Sequence, residues 1–213
     1  DMVALMKKRV YDMSACTRWL ASLNKRPIKI KYNKTDIDIP TFNDYMNLYI
    51  DEELPRVFDS INENWDIGVC FSETGFQQVS FVNSIYTSQG GRHVDYIVSQ
   101  VVDKLFETLS KKNKDITLKK PFIKNNMMVF IRCNINQPEF NSQTKETLTT
   151  APSKFGTEAT LKPSFIKKVG DLGISEQALK YAEFKEQKQL AKTDGKKTAK
   201  LNNIPRYMPA LKA

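Results

Sequence analysis

The sequence predicts an α+β fold, in which a sheet of about four strands is backed by helices, with one helix before the sheet and a long helix after it. Two patterns predict this class. Several segments alternate apolar and polar residues, which is typical of strands, and others repeat apolar residues every three or four positions, which is typical of helices. With 213 residues and 40% hydrophobic content, the chain is large enough for one or two domains with a buried core.

A helical pattern opens the chain. Met2, Met6, Val10 and Met13 fall on one side of a helix of ~15 residues, and lysines face the other side. Such an apolar stripe needs a surface to pack against. Because the pattern is already under way at the second residue, we expect the chain to be a piece of a longer polypeptide.

Two short elements follow. Residues 28–32 alternate apolar or aromatic residues with lysine, which predicts a short, half-exposed strand. Residues 42–49 place aromatic residues and methionine at helical spacing, and Thr41 is a suitable N-cap for that helix.

The clearest strand signals lie between residues 65 and 85. Trp65, Ile67 and Val69 alternate with small or polar residues, and residues 76–85 again place apolar side chains on one face. The residues between them, Ser-Glu-Thr-Gly, favour a turn. The two segments are therefore predicted to form a hairpin.

The second half adds a helix, another central strand and the trailing helix. Apolar residues recur at helical steps over residues 94–109, and they alternate over residues 127–135. A long helical pattern covers residues 175–192. After Thr193 the composition becomes basic and proline-containing, which is typical of a linker.

Charge and rare residues limit the possible functions. The net charge of +9 favours an anionic partner. Cys16, Cys70 and Cys133 are widely spaced and form no C-x-x-C pair, so they favour a reducing compartment over a disulfide framework or a zinc site. His93 is the single histidine, which excludes most histidine-based metal and triad chemistry. No apolar run approaches the ~20 residues that span a bilayer, so no membrane partner is expected.

The polar run NSQTKETLTT, residues 141–150, directly follows the predicted strand. Lys145 stands in it among hydroxyl and amide side chains. One interpretation is a solvated surface charge. The other is a lysine that reaches a terminal phosphate, with Gln143 and Thr144 adding neutral hydrogen bonds.

The run SKKNK, residues 110–114, also has two interpretations. Its lysines can simply complement the dipole at a helix C-terminus. Alternatively, the run offers cations to a DNA backbone, in which case each neutralised phosphate steepens the salt dependence of binding by ~0.9 in log–log slope. Further lysines close behind make the region more basic: Lys119, Lys120 and Lys124.

The glycine pair in QGGRH is predicted to form a tight turn between strand and helix. The alternative, an anion-binding nest, lacks the longer phosphate-binding fingerprints. His93, next to this pair, is predicted to be structural.

Four of these segments together resemble one family. In order and at family spacing, the chain contains FQQVSFVNSIYTSQGGRHVDYI, SKKNKD, IKNNMMVFI and NSQTKETLTT. This set is similar to the transducer domain of eukaryotic type IIA DNA topoisomerases. The resemblance implies a ribosomal-protein-S5-domain-2-like sheet of four strands backed by helices.

The resemblance also implies a domain plan. Residues 1–20 resemble the last helix of a preceding GHKL-type ATPase domain. Residues 21–173 correspond to the transducer, and residues 174–213 to the long helix and basic connector that lead to a TOPRIM domain and the DNA-cleaving core. The segment between residues 30 and 62 matches the family poorly, so the resemblance implies no role for its residues.

For the loop, the resemblance implies a nucleotide contact. Gln143, Thr144 and Lys145 match the family loop that reaches into the ATP pocket, where the lysine contacts the terminal phosphate. The resemblance further implies that ATP binding closes a dimer with a second copy of the chain. ATP hydrolysis then lets the transducer rotate and pass this change to the DNA-cleaving core. ATP and Mg²⁺ are thus expected cofactors of the full-length enzyme, with Mg²⁺ not bound by this piece.

For the basic run, the resemblance implies a contact with double-stranded DNA. Lys111 and Lys112 match two positions of the family's lysine-rich loop, and Asn113 and Lys114 complete the candidate set. Ser110 stands where many members have another lysine, which points to a weaker contact here.

The expected function is therefore coupling of ATP turnover to DNA strand passage, relaxation and decatenation, in the nucleus. The chain contains no GHKL catalytic glutamate and no nucleophilic tyrosine motif, so this piece alone is expected to be inactive. Two alternatives remain: a stand-alone S5-like nucleic-acid-binding module, and the transducer of another GHKL protein.

Overall fold

A five-stranded mixed sheet forms the centre of the fold. The computed structural model describes the backbone of Met2–Asn24 and residues 28–194, and the side chains of residues 2–17 and 28–190. In chain order the strands are β1 (Ile30–Tyr32), β2 (Thr35–Ile37), β3 (Arg56–Asn62), β4 (Trp65–Phe71), β5 (Gln77–Val82), β6 (Ile85–Tyr86), β7 (Gly90–Gly91), β8 (Met127–Cys133) and β9 (Thr147–Leu148).

The helices are α1 (Met2–Asn24), α2 (Phe42–Met46), α3 (Arg92–Lys112), α4 (Lys120–Lys124), α5 (Pro163–Val169) and α6 (Ser175–Asp194). A 3-10 turn at Pro152–Lys154 and a π turn at Gly170–Ile174 complete the elements. The predicted α+β class, with a sheet backed by helices and a long last helix, is confirmed. The residues predicted to form the linker after Thr193 lie, from 195 onward, outside the described part of the chain.

The strand order of the central sheet is β3-β4-β8-β5-β6. The predicted hairpin between residues 65–71 and 76–85 is therefore wrong, because β8 lies between β4 and β5, antiparallel to the first and parallel to the second. All seven residues of β8 are buried, so it needs a neighbour on each side. The connection between β4 and β5 spans about 10 Å, the width of two strand spacings.

The hairpins that do form are local. β5 and β6 are joined by Asn83 and Ser84, whose φ angles are 49° and 64°. Two consecutive positive φ angles match a type I′ turn, which suits the twist of a two-residue hairpin. β3 and β4 form another hairpin, and β3 was not predicted from the sequence.

Helices cover both faces of the sheet. On one face, Trp65, Ile67 and Val129 pack in a core with the buried side of α3 and with α5. On the other, Phe81 and Phe130 pack in a second core with α1 and α2. The capping box predicted in part by Thr41 is present, because the Thr41 hydroxyl accepts from the Asp44 amide and the Asp44 carboxylate accepts from the Thr41 amide.

Buried charges hold the α1 side of the sheet together. Arg132 on β8 donates to Asp66 on the neighbouring β4 at 2.6 Å, and Arg132 is 2% exposed. The fully buried Asp12 of α1 accepts from Lys8 at 2.8 Å and from the Tyr45 hydroxyl of α2 at 2.6 Å. Burial, and then the bond to Asp12, raise the pKa of Tyr45 far above its ordinary value, so it remains a neutral donor.

We expect Asp66→Ala to lower the free energy of unfolding by about 3 kcal/mol, because it removes one partner of a buried ion pair and leaves the other inside the protein. Chemical denaturation checks this value. Asp36→Ala is the matched control, since Asp36 pairs with Lys31 at 3.2 Å on the surface, where such pairs contribute less than about 1 kcal/mol. Equal losses in the two variants would contradict the prediction.

Candidate functional site

The two candidate functional segments lie at opposite ends of α3. The helix begins at Arg92, directly after the β7 strand, which pairs with β9 within the polar run, and it ends at Lys112 in the basic run. A helix of 21 residues is about 30 Å long. A single helix thus connects the two segments, which below are called the 141–146 loop and the basic tip (residues 111–114).

The base of the 141–146 loop is held by backbone hydrogen bonds. The Asn141 amide donates to the Thr147 carbonyl at 3.1 Å, and the Gln89 amide donates to the Glu146 carbonyl at 3.0 Å. An antiparallel bridge joins Phe140 to Leu148 just below. The loop is therefore fixed where it leaves the sheet.

The tip of the loop presents all three predicted residues to solvent. Gln143, Thr144 and Lys145 are each exposed, and Lys145 has a φ of 58°, a left-handed conformation that turns the chain back. The Thr144 hydroxyl lies 2.7 Å from that of Ser142. The structure thus brings the three predicted residues together on one projecting turn.

The Lys145 ammonium group lies 5.8 Å from the centre of the Phe140 ring. Within the described part of the chain no carboxylate is within ion-pair distance of it. The Phe140 ring is half-buried, but Lys145 itself is exposed, and a cation–π contact at an exposed site contributes about 0.5–1 kcal/mol. The Lys145 ammonium group is therefore exposed to solvent and only weakly held on the described surface.

The glycine pair places the loop against α3. The Gly90 amide donates to the Thr87 carbonyl at 3.0 Å, so the predicted tight turn is confirmed and that amide is not available to an anion. A Cβ atom at Gly91 would lie 2.4 Å from the Leu148 carbonyl oxygen. Only glycine at this position allows β9 to approach this closely. The sequence analysis identified the glycine pair but did not predict its contact with β9.

His93 lies beneath the glycine pair and is fully buried. Its Nε2 atom is 3.2 Å from the Thr87 hydroxyl, which in turn is 2.6 Å from the Ser80 hydroxyl. Burial lowers the pKa of His93 to about 3, so the ring is neutral at ordinary pH. The predicted structural role of His93 is confirmed.

The basic tip caps α3. The Asn113 amide and side chain both donate to the Leu109 carbonyl, at 2.9 Å and 3.0 Å. Lys111, Lys112 and Lys114 are exposed around this cap. Asn113 therefore positions the three lysines. Their cations also complement the helix dipole. The observed geometry is thus compatible both with a simple helix C-terminus and with a DNA contact.

Among the described residues, no group of three or more His, Cys, Asp or Glu side chains is arranged to hold a metal ion. None of the described helices combines the length and the apolar character needed to cross a bilayer.

Comparison with known proteins identifies the family. A family model described as DNA gyrase B matches residues 22–198, which is most of the chain. The chain belongs to the DNA gyrase B family of type II DNA topoisomerases. It is 42% identical over 209 residues to DNA topoisomerase 2 of Arabidopsis thaliana, covering 94% of this chain and 14% of that protein. The chain thus spans about a seventh of the length of the curated relatives it matches.

Solved structures of type II topoisomerases have the same fold. The ATPase region of Saccharomyces cerevisiae topoisomerase II matches with a TM-score of 0.76 and 36% identity, over 85% of this chain and 45% of that one. The ATPase and transducer domains of DNA topoisomerase II from Balamuthia mandrillaris match with a TM-score of 0.80 and 33% identity, over 88% and 46% of the two chains.

In this type II topoisomerase chain, we expect Gly91→Ala to loosen the base of the 141–146 loop, because the new Cβ overlaps the Leu148 backbone. Hydrogen exchange at the Gln89 amide, which donates to Glu146, should become faster. Gly75→Ala is the matched control: Gly75 also has a positive φ, 104°, but no atom lies within 4 Å of its Cβ position. The control should show only the backbone strain, roughly 1–2 kcal/mol, and leave Gln89 exchange unchanged.

Proposed function

We propose that the chain is the transducer of an ATP-dependent type II DNA topoisomerase, which couples ATP binding and hydrolysis to double-strand DNA passage, relaxation and decatenation. The observation that carries this proposal is the placement of the 141–146 loop and the basic tip at the two ends of α3. Membership in the type II topoisomerase family gives these two segments their proposed ligands.

On the nucleotide side, Lys145 contacts the terminal phosphate of ATP, and Gln143 and Thr144 donate neutral hydrogen bonds beside it. When bound, ATP supplies the anion that this loop recognises. Hydrogen bonds to charged groups contribute about 1.5–3 kcal/mol each, which exceeds the weak contact that Lys145 makes with Phe140. The loop therefore moves to the phosphate when it is present and returns when it is absent.

On the DNA side, the ammonium groups of Lys111, Lys112 and Lys114 neutralise backbone phosphates of double-stranded DNA. Asn113 holds the end of α3 in a single conformation beneath them. Contacts of this kind position the protein on DNA and carry no base specificity. Ser110 directly precedes this tip and stands where the resemblance implies another lysine, so one cation fewer adjoins the tip.

Further domains complete the proposed enzyme. Met2, Leu5 and Met6 of α1 are 68%, 57% and 60% exposed, which leaves an apolar surface for a preceding GHKL ATPase domain. The relative from Balamuthia mandrillaris has ATPase and transducer domains in one structure. We further propose that a TOPRIM domain follows α6, that ATP is bound with Mg²⁺ by the ATPase domain, and that two copies of the chain dimerise in the nucleus.

We expect Lys145→Ala in the full-length enzyme to reduce DNA-stimulated ATP hydrolysis and strand passage together. The loss of one charge-assisted contact of about 1.5–3 kcal/mol corresponds to a decrease of roughly 10- to 100-fold. Steady-state ATPase and decatenation assays measure the two activities. The thermal unfolding temperature should not change, because the side chain is exposed.

Lys154→Ala is the control for this variant, since Lys154 is an equally exposed lysine in the 3-10 turn outside the loop. It should leave both activities unchanged. If Lys145→Ala also retains normal turnover and decatenation, the proposed nucleotide contact is refuted.

We expect Lys111→Ala combined with Lys112→Ala to lower the salt dependence of DNA binding. Two lost phosphate contacts reduce the log–log slope by ~1.8, which is twice ~0.9. Binding of a duplex to the full-length protein over a range of salt concentrations gives the slope. The double variant Lys167→Ala and Lys168→Ala is the control, because it removes two exposed lysines from the last turn of another helix, α5. Identical slopes for both double variants would exclude the contact.

A second candidate function is a stand-alone basic nucleic-acid-binding module of the S5-like type. The net charge of +9 and the exposed basic tip favour it independently of any nucleotide. The Lys145→Ala result separates the two, since only the transducer uses that side chain.

A further inference from the structure

A second basic surface lies beside the basic tip, in a groove between α4 and α6. The groove has a volume of about 480 Å³. Its lining combines cations with aromatic rings: Lys119, Phe122, Tyr181, Lys185 and Lys188. Sequence reasoning noted Lys119 but did not connect it with α6, which lies far along the chain.

The cations of this groove have no acidic partner within the described part of the chain. Lys119, Lys185 and Lys188 are exposed, and none forms an ion pair there. Neighbouring lysines differ in this respect. Lys120 pairs with Asp103 at 2.9 Å, and Lys180 pairs with Glu176 at 2.6 Å.

Glu186 is the acidic residue that lines the groove, and its carboxylate is hydrogen-bonded to the main chain. It accepts a hydrogen bond from the Thr117 amide at 2.7 Å, and hydrogen bonding to the Thr117 side chain and then to its amide lowers the pKa of Glu186. Glu186 therefore remains ionised and bonded to the chain instead of to a lysine. The charged residues that line the groove are therefore three lysines and one carboxylate, and the net charge of the lining is positive.

The same bond attaches the chain segment that follows the basic tip to the groove. Thr117 follows the tip closely in the chain, and Glu186 fastens this segment to α6. The Phe122 and Tyr181 rings, 4.9 Å apart and nearly perpendicular, hold α4 against α6 on the other side. The lysines of the groove are thus held at a fixed position relative to those of the tip.

We propose that this groove is a second contact surface for the phosphate backbone of the double-stranded DNA that binds the basic tip, and that Glu186 is the positioning residue that keeps the two surfaces aligned. The proposal rests on the proposed function. Ammonium groups on separate elements suit a chain of regularly spaced phosphates, which they neutralise without reading sequence. Attachment of the groove to the segment that follows the tip favours DNA over an acidic protein segment.

The first test is lysine-reactivity footprinting of the full-length protein with and without a DNA duplex. Lys119, Lys185 and Lys188 should become less reactive when duplex is added, to the extent seen for Lys111 and Lys112. Lys180 is the internal control, because it lies on the same helix but is paired with Glu176, and its reactivity should not change. If Lys185 and Lys188 remain fully reactive while Lys111 and Lys112 are protected, the groove does not contact DNA and the proposed function stands.

The second test compares charge variants. Lys185→Ala combined with Lys188→Ala should reduce the log–log salt slope by ~1.8, whereas replacement of both by arginine should retain it. Lys180→Ala should not alter the slope. An unchanged slope in the double alanine variant, with normal thermal unfolding, overturns the proposal. If the Lys111 and Lys112 double variant also binds normally, the DNA contact of the proposed function fails as well.

A third variant tests Glu186. Glu186→Ala should speed hydrogen exchange at the Thr117 amide and weaken DNA protection of Lys119, and Glu186→Gln should restore both, because the amide oxygen can still accept the bond. If exchange at the Thr117 amide becomes faster but DNA still protects Lys119 fully, Glu186 has only a structural role and is not a positioning residue for DNA binding.

Discussion

The close approach of Gly91 to Leu148 is the contact on which the arrangement of the candidate sites depends. Leu148 is buried, and its backbone lies where any side chain at position 91 would stand. Because Gly91 immediately precedes α3, the position of β9 is fixed relative to the helix by main-chain atoms. Main-chain contacts have no rotamers to change, so a displacement of the loop base is also a displacement of the start of α3.

The base and the tip of the 141–146 loop differ in how firmly they are held. The base is held by backbone hydrogen bonds to Gln89 and Thr147. The tip is held by one backbone hydrogen bond, from the Lys145 amide to the Ser142 carbonyl at 3.1 Å, by the hydroxyl contacts of Ser142, and by the Lys145 cation near Phe140. The contacts of the tip are weaker than a charge-assisted bond to a phosphate. An anion can therefore reorganise the tip without unfolding its base, which is what a reversible sensor requires.

The sequence predicted the helices and strands of the fold better than it predicted which strands lie side by side. Alternation identified residues 65–71 and 127–133 as strands, although both faces of these two strands are buried in the structure. It carries no information on which strand lies beside which, and β8 was therefore not placed between β4 and β5. The residues of the loop tip were identified through the family resemblance. The contacts of Gly91 with Leu148 and of Glu186 with Thr117 join distant parts of the chain and have no local signal.

The packing of α3 determines how a signal can travel between its ends. Its buried residues pack on the sheet from Val94 to Leu109, and a close-packed interior does not deform continuously. A local change at Gly91 cannot therefore be absorbed along the helix by compressing the core. The proposed coupling requires that α3 and the sheet move together as one body relative to the neighbouring domains. Under that constraint the basic tip would change its position because the whole layer moves, while the contacts within the layer stay the same.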